Sequence, residues 1–84
     1  MGTRTKPKLN KSKSEEKFLK QLGQCIVKEA NTKEISIERL AFEADISKSY
    51  LYDLVKGQAN PSVVILLRVA DCLGIKLSKI LPDK

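Results

Sequence analysis

Ser36-Ile-Glu-Arg-Leu-Ala-Phe-Glu-Ala-Asp-Ile-Ser-Lys-Ser-Tyr-Leu-Tyr-Asp-Leu-Val-Lys56 holds two short apolar patterns of helical period. The break between them, at Asp45-Ile46, is too short for a flexible loop. The first pattern carries Leu40, Ala41 and Ala44 and is preceded by Ser36, a residue whose hydroxyl suits the N-cap because it accepts from an otherwise unpaired backbone N–H. The second carries Leu51, Leu54 and Val55, opens on Ser47 and stops at Gly57, which takes the left-handed backbone that ends many helices. Two helices joined by so tight a turn cross closely, and Ala41 is small enough to allow it. The spacing predicts a helix-turn-helix, with helix two over about 36–44 and helix three over about 47–56. In that arrangement the second helix lies in a DNA major groove.

Outward from this core the rest of the chain also reads as helix. Ser14-Glu15-Glu16 has a capping hydroxyl and two acids suited to the positive end of a helix dipole. Helix one then runs to about Ala30, with Phe18, Leu22, Ile26 and Ala30 on one stripe. Asn31 to Glu34 connects to helix two, and Gln58-Ala-Asn-Pro61 is a polar loop. Helix four is expected from Ser62 to Gly74, and a short fifth helix from Leu77 to Leu81 before Pro82. No strand pattern or internal repeat is visible.

From Leu22 to Leu81, without a gap, the chain resembles the DNA-binding domain of Cro and the phage lambda repressor, the Xre family. The likeness rests on Leu22-Gly-Gln24, Ser36, Leu40-Ala41, Ile46-Ser47, Ser49-Tyr-Leu51 and Lys56-Gly57. Asn60-Pro-Ser62, Leu66-Leu67, Val69-Ala70, Leu73-Gly74 and Leu77-Ser78 continue it. The resemblance implies an all-α, compact five-helix lambda-repressor-like domain, sequence-specific DNA binding and, usually, a homodimer. Three positions depart from the family pattern. Ile37 stands where a Gln commonly touches a phosphate, Asp45 replaces the turn Gly, and Leu54-Val55 replaces a common Ile-Glu. Asp enters the left-handed region less easily than Gly.

Composition narrows the function classes. A chain of 84 residues makes one small domain. Its longest apolar run, Val63 to Leu67, falls far short of the ~20 residues that cross a bilayer. The N-terminus lacks the apolar core of a signal peptide, so a cytoplasmic protein is expected, with no membrane partner. Cys25 and Cys72 are then expected as free thiols. With no histidine, no cluster of metal-ligating residues and no phosphate-cradling glycine loop, the sequence offers neither a metal or cofactor site nor an enzyme's machinery. The net charge of +6 is unevenly placed. Residues 1–14 hold Arg4, Lys6, Lys8, Lys11 and Lys13 and no acid, and so carry five of those six charges. This segment is expected to be a disordered basic arm, and 15–84 the DNA-binding domain. Arg4, Lys6 and Lys8 are candidates to follow phosphates or enter a minor groove.

An α-helix advances ~100° per residue, so with Leu51 and Leu54 turned inward the opposite face of helix three gathers Ser49, Tyr52, Asp53 and Lys56, with Lys48 and Tyr50 at its borders. Lys48, Ser49, Tyr52 and Asp53 are the candidates to read bases. Lys donates to guanine O6/N7, Asp accepts from cytosine N4, and the Tyr ring meets a thymine methyl or its hydroxyl a phosphate. Ser47, Tyr50, Lys56 and Gln24 are phosphate candidates. The resemblance adds Gln58 and Asn60, whose backbone amides would meet phosphates, contacts that position a protein without specifying sequence.

Helix four carries one apolar stripe too many. Val63, Leu66, Leu67, Ala70 and Leu73 are expected to face the core, while Ile65, Val69 and Cys72 form a second row beside Val64. Together with Leu77, Ile80 and Leu81 this exceeds what a small domain easily buries, and surplus apolar surface marks interfaces. Val64, Ile65, Val69, Cys72, Ile80 and Leu81 are the candidates for a two-fold dimer contact that would set two recognition helices ~34 Å apart on double-stranded DNA. The expected function is a homodimeric transcriptional regulator, a repressor or autoregulator acting on an inverted-repeat operator. A restriction–modification controller protein is one alternative. An antitoxin, whose extra stripe would bind a toxin, is another.

Overall fold

The computed structural model describes residues 12–82, and among them four α-helices and one short 3₁₀ turn form an all-α fold. The helices are α1 (Lys13–Thr32), α2 (Ile37–Ala44), α3 (Lys48–Val55) and α4 (Val63–Leu73), followed by the turn Leu77–Lys79. Arg4, Lys6 and Lys8 lie outside the described residues.

Local chemistry accounts for each boundary. A serine hydroxyl caps every α-helix: Ser12, Ser36, Ser47 and Ser62 accept from the backbone N–H three residues on, at 3.0–3.2 Å. Ser12 rather than Ser14 starts α1, because Glu15 lies three residues after Ser12 and returns the bond: the Ser12 N–H donates to Glu15 Oε1 at 3.2 Å. That reciprocal pair is a capping box, and it draws Ser12, Lys13 and Ser14 out of the expected arm and into the folded domain. The helix-two–helix-three turn is closed by Asp45 at φ 60, ψ 46, the left-handed conformation that Asp tolerates better than most residues. Gly74 at φ 71 closes α4 in the same way.

The core is a single cluster. Leu22 and Ile26 of α1, Leu40 of α2, Leu51 and Leu54 of α3, and Val69 and Leu73 of α4 are almost wholly excluded from solvent. Three expectations are corrected here. In α1 the buried residue of the first turns is Leu19, while Phe18 is 42% exposed. In α4 the inward face is Leu66, Val69, Ala70 and Leu73, because α2 packs against that side; Val63 and Leu67, expected inside, are 67% and 46% exposed. The expected fifth helix is only the three-residue turn, which folds back on α4 and buries Ile80 completely. No helix among the described residues is long and apolar enough to cross a membrane.

Candidate nucleic-acid interface

Helix α3 is held from several sides. Leu51 and Leu54 anchor it in the core, and α1 crosses it at Gly23, where there is room for no side chain. Its N-terminus is tied by Ser47, whose Oγ accepts from the Tyr50 N–H at 3.0 Å. Its C-terminus ends in Gly57 at φ 80, and the Gln58 N–H donates to the Asp53 carbonyl at 2.8 Å. A helix so constrained presents its outer face in a fixed orientation relative to the core. Lys48, Ser49, Tyr52, Asp53 and Lys56 are all exposed on that outer side, whereas Tyr50 is half-buried at its edge.

Some expected contacts are altered by these bonds. The Gln58 amide, expected to meet a phosphate, is already used by Asp53; the exposed Gln58 side chain is what remains available there. The Ser47 oxygen is engaged in the cap, which leaves its O–H as the outward donor. The Tyr52 hydroxyl donates to Glu38 Oε2 on α2, a contact between residues 14 apart in sequence. That bond is the main reason the Glu38 carboxyl is held below the usual carboxylate range, with its own backbone N–H and the charge of Lys48 acting in the same direction. The same bond pushes the Tyr52 phenol above its ordinary range.

On the flank, Gln24 is exposed on α1. With Lys13, Glu16, Lys17, Lys20 and Gln21 it lines a shallow groove. At ~100° per residue, positions 13, 17, 20 and 24 fall on one stripe. Lys20 packs on the left-handed Gly57: a Cβ there would lie 3.1 Å from the Lys20 backbone nitrogen. The close approach sets the backbone and stem of Lys20 against the end of α3. Lys20 is not among the candidates the sequence suggests, although Lys13, Lys17 and Lys20 recur at helical spacing along α1. On α2, Arg39 pairs with Glu43 at 2.8 Å, an exposed ion pair of little energetic weight.

The proposed dimer residues divide. Val69 and Ile80 are fully buried within the protomer and have no surface to offer a partner, so they leave the candidate set. Ile65 and Cys72 are half-buried, and Val64 and Leu81 remain exposed. Val63 and Leu67 join them on the outer face of α4. Cys25 and Cys72 are free thiols. Burial, helped by Glu43 and Asp71, pushes the Cys72 thiol up.

Residues 28–80 match the family model described as helix-turn-helix, HTH_3, which covers the turn, α3 and the core around them. The chain belongs to the HTH_3 helix-turn-helix family. It is 35% identical over 63 residues to the immunity repressor protein of Bacillus phage phi105, an alignment spanning 75% of this chain and 44% of the repressor. The chain thus spans less than half of that relative's length. Among solved structures it is similar to the restriction-modification controller protein C.AhdI from Aeromonas hydrophila, with a TM-score of 0.73 and 32% identity over 75% of this chain and 96% of the controller. The clp gene regulator ClgR from C. glutamicum shares the fold, with a TM-score of 0.71 and 24% identity over 75% of this chain and 82% of that one. This HTH_3 chain is therefore similar both to part of a phage repressor and to nearly the whole of a shorter controller protein.

Proposed function

We propose that this HTH_3 protein is a sequence-specific DNA-binding transcriptional regulator, acting as a repressor and autoregulator on an inverted-repeat operator. The observation that carries the reading is the exposure of Lys48, Ser49, Tyr52 and Asp53 on a short helix that Leu51 and Leu54 anchor in the core. These side chains supply donor, acceptor and apolar contacts, the complement that distinguishes base pairs in the major groove. Family membership supports the same reading, as does the likeness to a phage immunity repressor.

The active form is a homodimer joined through the exposed Val63, Val64 and Leu67 of α4, with the exposed Leu81 as a further contact. A small domain that leaves these residues in water is suited to covering them with a second copy. A two-fold pair presents two α3 helices to two half-sites, which is why the operator is an inverted repeat. The restriction–modification controller reading is favoured by one observation, the match to nearly the whole length of C.AhdI. Both readings make the same demand on α3.

Selection of bound duplexes from a random DNA pool tests the proposal. A two-fold motif with half-sites one helical turn apart is the expected result. Enrichment without base preference would reject specific regulation, and a single half-site would reject the dimer. Locating the selected motif beside the protein's own gene or beside restriction and methylation genes separates autoregulation from a controller's role.

A further inference from the structure

We infer that Glu38 is a positioning residue for base reading: by holding the Tyr52 hydroxyl it leaves the Tyr52 ring as an apolar reader of a thymine methyl. The inference deepens the DNA-binding reading of α3 and rests on it. A tyrosine on the groove face of a recognition helix has two uses. Its hydroxyl donates to a phosphate, which positions the protein on any sequence, or its ring packs on a thymine methyl, which specifies a base. In this protein the hydroxyl is already committed, donating to Glu38 Oε2 across the α2–α3 junction.

The pair is not a device for holding the fold together. Both side chains are exposed, and an exposed polar pair adds little stability. The two helices are already joined by the core residues Leu40, Ala41, Leu51 and Leu54. A carboxylate on the surface that meets the DNA backbone repels phosphates and costs affinity. What it gives in return is a charge-assisted bond, stronger than a neutral one, that stops the ring from swinging. Lys48 is the nearby cation: it stands one turn before Tyr52 on α3, and its charge favours the ionised Glu38 carboxylate.

The test uses the full chain and its selected operator, with each thymine of a half-site replaced in turn by uracil, which removes only the methyl. For the wild type, one position per half-site should weaken binding by about fourfold, the worth of one buried methyl. Glu38→Ala should erase that penalty while leaving the base preferences under Lys48 and Asp53 in place. Glu38→Gln, whose amide oxygen still accepts the phenol proton, should keep most of it. Tyr52→Ala should erase the penalty, and adding Glu38→Ala to it should change the uracil profile no further. A full penalty in Glu38→Ala would overturn the inference. So would a Glu38→Gln variant that behaves like Glu38→Ala, since the carboxylate would then act by charge rather than as an anchor. Titration of the phenol in a Tyr50→Phe background reads the contact without DNA: Glu38→Ala should move Tyr52 back down toward the ordinary tyrosine range. No movement overturns the contact itself, whereas a wild type with the contact but no base preference overturns the DNA reading instead.

Discussion

A Cβ on Gly23 would stand 2.3 Å from the Val55 carbonyl oxygen, so α1 and α3 meet backbone to backbone. No side-chain rotation relieves that contact, because the obstructing atoms belong to the main chain at Val55 and Leu54. Gly23→Ala must therefore push the recognition helix away from α1. The expected loss of stability is about 3 kcal/mol, read as a lower urea midpoint, with operator affinity falling as α3 shifts. A Gly23→Ala variant as stable as the wild type would show that the two helices separate easily.

The start of α1 gives a sharper comparison. Ser12 and Glu15 satisfy each other's backbone donors at 3.2 Å, whereas Ser14 lies inside the helix. Ser12→Ala should cost ~1 kcal/mol, the usual worth of an N-cap, while Ser14→Ala should be near neutral or slightly stabilising because Ala is the better helix former. Thermal melts of the two variants decide it. The reverse order would place the cap at Ser14.

The turn between α2 and α3 is the third place where one residue matters. Asp45 holds a left-handed backbone at φ 60, and Arg68 Nη1 donates to its carbonyl at 3.5 Å. Asp45→Gly removes the Cβ strain but adds disorder to the unfolded chain, and the balance should favour it by roughly 0.5 kcal/mol. Asp45→Val, β-branched in the same backbone, should lose ~2 kcal/mol. Equal stability of the Gly and Val variants would mean the turn relaxes out of the left-handed region.

What the sequence revealed divides along a physical line. The turn, the caps at Ser36 and Ser47, and the start at Ser62 and stop at Gly74 of α4 depend on neighbours within a few residues, and they were legible. The choice between Phe18 and Leu19 was not, since both flank the same stripe and the packing of distant elements decides which is covered. Helix α4 is apolar nearly all round, so periodicity alone could not orient it; contact with α2 turns Val69 in and Val63 and Leu67 out. At the candidate site, helical spacing placed Ser49, Tyr52, Asp53 and Lys56 on one side, with Lys48 and Tyr50 at its borders. The bond from Tyr52 to Glu38 joins two helices and left no local mark.

That division yields a paired test of the dimer. Val64 is 60% exposed and Leu67 is also in water, whereas Val69 and Ile80 are fully buried. Val64→Glu and Leu67→Glu should give folded monomers with weakened operator binding, because an unpaired charge is costly only once a partner covers it. Val69→Glu and Ile80→Glu should instead unfold the chain, each burying a charge within the protomer. Sedimentation and circular dichroism together distinguish the outcomes. Folded dimers from both surface variants would move the interface away from α4.

The last prediction asks which cations meet the phosphates. Each phosphate contact contributes about 0.9 to the slope of log K against log salt on double-stranded DNA. Residues 1–11 hold Arg4, Lys6, Lys8 and Lys11, while Lys20 sits on the folded domain against Gly57, at the end of α3. Lys20→Ala should flatten the slope by about 1 per protomer and weaken binding equally on all sequences. Deleting residues 1–11 keeps the Ser12 cap and should flatten it by about 2–3. The two effects should add, since Lys20 and residues 1–11 would meet different phosphates. If Lys20→Ala changes nothing, the α1 stripe faces away from the duplex and the docking of α3 must be tilted toward α2. An unchanged slope after the deletion would instead leave Lys20, Lys48 and Lys56 to carry the phosphate contacts by themselves.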